Sequence, residues 1–162
     1  MKALWTMFLK SLQLPKKEAA FALNRIRMDV VVFYLFILIA VSSIPSYVKQ
    51  LLEADDVSIF IFTIFFFIFH YLIVLIIIFA LLSLIAAMFF IMTKLAKRKL
   101  HYAILWKMSA GASTIPLLLY TIFAFFYEVE SIFLTLSILF IIIIGVKIIF
   151  IYPKRRDEKI SK

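Results

Sequence analysis

Cysteine is absent from the 162-residue chain, which excludes a disulfide framework, a thiolate metal site and a cysteine nucleophile. That absence leaves the redox compartment undecided. Glycine occurs twice and proline four times, too few for a membrane barrel built of ~10-residue strands with turns between them. Long uninterrupted helices suit this composition. Histidine is as scarce as glycine: His70 and His101 are its two positions. Neither has metal-ligand spacing or an acidic cluster beside it. No phosphate-cradling glycine-rich loop, nucleophile elbow or zinc-protease helix is present. The paired carboxylates or histidine–acid set that an intramembrane enzyme needs at one depth are missing too. The chain therefore reads as non-enzymatic, without cofactor or metal.

What is present is hydrocarbon. Hydrophobic residues make up 66% of the chain, against about 45–50% in a soluble domain. One water-soluble core cannot hide that excess, so lipid is the solvent for much of the chain. A net charge of +9 would suggest nucleic acid in a soluble protein. Here the basic residues flank apolar runs, which favours an anionic membrane surface over nucleic acid. No signal peptide is expected, because the first long apolar run begins near Val30, behind Asn24, Arg25, Arg27 and Asp29.

Four apolar runs, at about 30–48, 57–92, 103–126 and 132–152, define a four-span membrane domain over 29–152. In lipid the backbone must satisfy its own hydrogen bonds, so each run reads as helix. The expected class is an all-α polytopic transmembrane bundle. A cytoplasmic interfacial helical segment (1–28) precedes it and a basic cytoplasmic tail (153–162) follows.

The run 57–92 is either one crossing or a hairpin of two, and charge decides. With four crossings in all, every basic residue but Lys49 faces one side, with Lys107 and Lys147 snorkelling towards it. Glu53, Asp55, Asp56, Glu128 and Glu130 then occupy the opposite loops. Five crossings would export the basic loop 94–99 against the positive-inside bias, and no turn residue is available for a hairpin. Both termini are therefore expected in the cytoplasm. A single crossing, however, is too long, since the run would measure ~54 Å as helix. Counting back from Lys94 puts His70 and Tyr71 near the outer interface and leaves 57–69 as surplus. This phenylalanine-rich segment should lie in the interface, fold back over the bundle, or meet a partner through Phe62, Phe66 and His70.

In the N-terminal segment, Met1, Leu4, Trp5, Phe8 and Leu12 follow helical spacing, with Lys2, Lys10 and Ser11 on or beside the polar flank. Pro15 interrupts and marks the start of a second short helix. An in-plane amphipathic helix on anionic lipid fits, as does a short helix packed under the bundle.

Two patches within the spans carry polar or kink-forming residues. One is Ser42, Ser43 and Pro45 in the first span. The other is Lys107, Ser109, Ser113, Thr114 and Pro116, with Gly111, in the third. Small residues and hydroxyls serve close helix packing, whereas hydroxyls lining a path would serve transport. The first patch sits towards the outer side, so the two need not meet.

Some residue runs resemble a known family. They are Phe8-Leu9-Lys10-Ser11-Leu12-Gln13-Leu14-Pro15-Lys16, then Ile44-Pro45, then Lys97-Arg98-Lys99-Leu100 with Tyr102, Leu105-Trp106, Ser109-Ala110 and Pro116. Together they are similar to an uncharacterised bacterial membrane family, domain of unknown function 1189. Some of its members are labelled maltodextrin-utilisation proteins. The resemblance implies a Gram-positive plasma-membrane protein of several spans without defined catalytic residues. Longer members have an extracytoplasmic segment between their first two spans, where this chain has only a short loop.

The leading expectation is a non-catalytic accessory or scaffold subunit of a plasma-membrane, transporter-associated complex. The alternative is a small homo-oligomeric channel or transporter. Either way the expected partners are the bilayer, with anionic lipid at the cytoplasmic face, and a protein partner or further copies of the chain.

Overall fold

The computed structural model describes residues 2–53, 58–98, 100–127 and 131–153. The loop acids Asp55, Asp56, Glu128 and Glu130, the loop residue Lys99 and the tail from Lys154 lie outside them. The helices are α1 (Lys2–Leu12), α2 (Lys17–Arg25), α3 (Met28–Glu53), α4 (Ile59–Phe65), a π-helical segment (Phe66–Tyr71), α5 (Leu72–Leu95), α6 (Tyr102–Ala112), α7 (Thr114–Phe126) and α8 (Ser131–Ile151). No strand occurs among the described residues.

Four stretches are long and apolar enough to cross a bilayer: Met28–Glu53, Ile59–Leu95, Tyr102–Phe126 and Ile132–Ile151. Cross-contacts show that they alternate in direction. At one end, here called basal, Lys107 of α6 reaches the end of α2, Arg98 bonds the Tyr152 carbonyl, and Phe21 packs on Tyr152. At the distal end, the Tyr47 hydroxyl meets Thr63 at 2.9 Å and Lys49 reaches the Tyr127 carbonyl at 3.4 Å.

The second span is one 37-residue helix, interrupted only by the π turn. Of the alternatives for 57–69, folding back over the bundle is corrected for the described residues from Ser58 onward. From Ile59 the chain runs straight on into the span, because α3 continues to Glu53 and provides a neighbour. Tyr47 packs against Phe62, with ring centroids 5.5 Å apart, and edge-on against Phe66 at 5.0 Å. Breaking an apolar helix would have freed backbone groups that lipid cannot satisfy.

The second span ends in a Schellman cap. Arg98 N–H bonds the Thr93 carbonyl and Lys97 N–H the Lys94 carbonyl, so the last carbonyls are satisfied. Lys97 takes the left-handed position, at φ 50°. The third span is interrupted at Ser113, between α6 and α7. Pro116 has no N–H for the Ala112 carbonyl four residues back and its ring crowds that carbonyl.

Both glycines sit at close approaches. A Cβ on Gly145 of α8 would lie 2.0 Å from the Phe89 ring of α5, so this glycine sets how near the two spans come. A Cβ on Gly111 would lie 3.1 Å from both Leu23 and Ser11. Here α1 and α2 press on the third span. Met7, Ser11, Ala19, Ala20 and Leu23 are entirely buried there. Ser11 thus faces the bundle and not the polar flank: the residue opposite it has no side chain, which leaves room for a small hydroxyl. Trp5, Leu9 and Leu12 are the exposed apolar face of α1.

Candidate functional site

Above the Phe89–Gly145 contact the spans separate around a cavity of about 400 Å³. Every span contributes: Ile39, Ser42, Ser43 and Ser46 from α3, and His70, Val74, Ile78 and Leu82 from the π segment and α5. Ser113, Pro116 and Tyr120 enter from the third span, and Phe133, Ser137 and Ile141 from α8. This volume lies within the ~300–1,000 Å³ of small-molecule sites, which also occur between the helices of bundles.

The lining is hydrocarbon with a few hydroxyls, and most of those hydroxyls are committed. Ser42 Oγ donates to the Leu38 carbonyl at 2.9 Å, Ser43 Oγ to the Ile39 carbonyl at 2.9 Å, and Ser137 Oγ to the Phe133 carbonyl at 2.8 Å. Ser113 Oγ donates to the Ala110 carbonyl at 2.9 Å. Bonds of this kind within one helix let a hydroxyl sit in an apolar setting without a distant partner. His70 is stacked on Phe66, with ring centroids 4.6 Å apart. The π turn carries it, and single π turns inside α-helices often mark functional positions.

The sequence left open whether the two patches meet; Ser42 and Ser43 of one and Ser113 and Pro116 of the other line the same cavity. Thr121 Oγ1 donates to Ser42 Oγ at 3.3 Å, and Ser42 Oγ also lies 3.4 Å from the Leu117 carbonyl. The first and third spans run parallel and side by side, so a patch late in one and a patch midway in the other reach the same level. Ser42, Ser43, Ser113 and Pro116 line the cavity, as does His70. Pro45 is buried within α3.

The remaining patch residues go elsewhere. Thr114 Oγ1 pairs with the Tyr34 hydroxyl at 2.9 Å, and the Ser109 hydroxyl is buried without a hydrogen-bond partner. Lys107 does not snorkel to the surface. Its Nζ donates to the carbonyls of Asn24 at 2.6 Å and Ile26 at 3.0 Å, closing the C-terminus of α2. Three of the cavity's polar groups, Ser46, Tyr120 and Ser137, were not singled out from the sequence. Ser46 and Tyr120 each lie four residues past a patch residue, Ser42 and Pro116, which was the available signal.

Phe62 and Phe66 face into the chain, against Tyr47. Phe66 is 6% exposed, whereas Phe60, Phe65 and Phe69 are 74%, 56% and 62% exposed. The outward face of this segment therefore belongs to the latter three.

Fold and cavity together define a four-span α-helical membrane protein, with no cluster of three metal-binding side chains among the described residues. The chain belongs to the family described as protein of unknown function (DUF1189), which matches residues 46–152. No curated protein and no solved structure matches it.

Proposed function

We propose that this chain is a non-catalytic accessory or scaffold subunit of a plasma-membrane assembly, one built around a transporter. The observation that carries this reading is where the polar side chains inside the bundle go. Most of them bond the chain's own backbone: Ser42, Ser43, Ser113 and Ser137 on their own helices, Lys107 at the end of α2, and Arg98 on the Tyr152 carbonyl. Groups spent in this way serve the fold and leave little for chemistry.

The second span offers the contact surface. Only 22% of its most apolar window is buried within the chain, against 44% in the first and third spans. At its distal end Phe65 and Phe69 stack side by side at 5.6 Å on the outside. Exposed aromatic clusters of this kind often mark interaction sites. Positive-inside bias puts the basal end, with both termini, in the cytoplasm. Its basic residues there meet anionic lipid at about 1 kcal/mol per nearby Lys or Arg. The test is isolation from native membranes in mild detergent. A stoichiometric companion is expected, and a chain that always purifies alone contradicts the reading.

One observation favours a second reading, a small homo-oligomeric channel or transporter: Ser42, Ser43, Ser113 and Ser137 converge on one cavity. Solute flux in proteoliposomes of the purified chain would support it and count against the accessory role.

A further inference from the structure

We infer that the cavity between the four spans is a binding site for one acyl chain of a bilayer phospholipid, entered sideways between the second and fourth spans. Those spans, α5 and α8, are in close contact where Phe89 lies against Gly145. Distal to that contact, Val74, Ile77 and Leu81 face Leu134, Ile138 and Ile141 across the cavity. Ile77 and Leu134, one from each span, are both lining residues and more than half exposed. The gap between these two helices is therefore the mouth, and at this level of a membrane protein it opens on hydrocarbon.

Shape agrees with this occupant. Along the second span the lining runs from His70 of the π segment to Leu82 of α5, and along α8 from Phe133 to Ile141, roughly 12–18 Å at 1.5 Å per residue. One leaflet of a ~30 Å hydrocarbon core is about that deep. Water is a poor alternative, because each buried water needs two to four polar partners. Ser42, Ser43, Ser113 and Ser137 already donate to their own helices and offer a guest only acceptor lone pairs, in a lining that is otherwise almost wholly hydrocarbon. The remaining polar groups, His70, Ser46 and Tyr120, lie towards the distal end of the lining. They are placed to hydrogen-bond the ester or phosphate oxygens of a phospholipid whose chain occupies the apolar part.

Photolabelling tests this assignment. The full chain is reconstituted in phosphatidylglycerol vesicles doped with phosphatidylglycerol carrying a mid-chain diazirine, irradiated, digested and mapped by mass spectrometry. Adducts are expected on Ile78 and Ile138 at several-fold the level on the outward-facing Leu84 and Phe150. Ser137→Phe, which puts a ring into the cavity, should reduce the adducts at Ile78 several-fold and leave those at Leu84 unchanged. Ile138→Phe fills the same space from the next position and should do likewise, so a folding failure of one variant leaves the other to decide. Equal labelling of cavity and outward residues in the parent would overturn the assignment, because it describes ordinary annular lipid. So would cavity labelling indifferent to both well-folded variants.

Discussion

Lys107 Nζ lies 2.6 Å from the main-chain oxygen of Asn24, so a cation on the third span closes the helix that precedes the first. The second bond, to Ile26 at 3.0 Å, adds the carbonyl of the residue that caps α2, so one ammonium group satisfies both. A positive charge at a helix C-terminus also complements the macrodipole. The same device recurs at the ends of two spans, with Arg98 on the Tyr152 carbonyl after α8 and Lys49 on the Tyr127 carbonyl after α7.

Burial separates these contacts in magnitude. Lys107 is 9% exposed, and removing its ammonium strands carbonyls in an apolar setting at about 1–3 kcal/mol. Lys107→Met should therefore free α2, seen as faster tryptic cleavage at Lys16, Lys17 and Arg25, while Lys107→Arg keeps a donor and stays closer to the parent. Lys49→Ala, which removes a long bond on an exposed surface, should change thermal stability by only a few tenths of a kcal/mol. Equal behaviour of Lys107→Met and the parent would show that α2 is held by packing alone.

Gly145 sets the approach of the second and fourth spans. Gly145→Ala places a methyl 2.0 Å from a fully buried phenyl ring. Overpacking of this kind typically costs about 1–3 kcal/mol. Phe89→Leu removes the clashing ring edge, so the double variant should be more stable than the two single losses added together. Additive losses in thermal unfolding would mean that the residues do not share this contact.

Gly111 does the same for the N-terminal pair. A Cβ there would sit 3.1 Å from Leu23 and Ser11, tight but within reach of a small shift. Gly111→Ala should be nearly neutral, because the gain in helix propensity of about 1 kcal/mol offsets the crowding. Gly111→Leu should push α1 and α2 off the bundle, raising the mobility of a spin label at Leu9 without altering membrane insertion. Unchanged mobility would place the contact elsewhere.

Topology follows from the basal cluster. In this cysteine-free chain, Ser58→Cys should react with an impermeant maleimide in intact cells, and Ala96→Cys should react only after permeabilisation. The reverse pattern would invert the molecule and move its basic end outside.

The four spans were legible because long apolar runs and charged ends are one-dimensional signals, and charge asymmetry with the absence of turn residues gave the single crossing of the long run. Contacts that depend on helical phase or on backbone atoms were not. Phe62 and Phe66 face Tyr47, while Phe65 and Phe69 face outward. The π turn shifts the phase of everything on either side, and nothing in the residue pattern announces it. Lys107 was visible as a charge one turn inside a span. Its partners are main-chain oxygens of another helix, which leave no side-chain mark. Ser11 looked polar on a helical wheel and became core because Gly111 stands opposite. The meeting of Ser42 with Thr121 needed the relative height of two spans, which sequence spacing does not supply.

The accessory role is tested most directly by exchanging the two faces of the distal second span. Phe65→Ser with Phe69→Ser alters only the outward pair, whereas Phe62→Ser with Phe66→Ser alters the pair packed on Tyr47. Both double variants are purified from native membranes in mild detergent, with thermal stability and the yield of any companion measured together. The outward variant should keep the parent's stability and lose the companion, and the inward variant should lose stability. An outward variant that retains its companion in full would show that lipid alone covers this face, and the proposed role as a subunit held through it would fail.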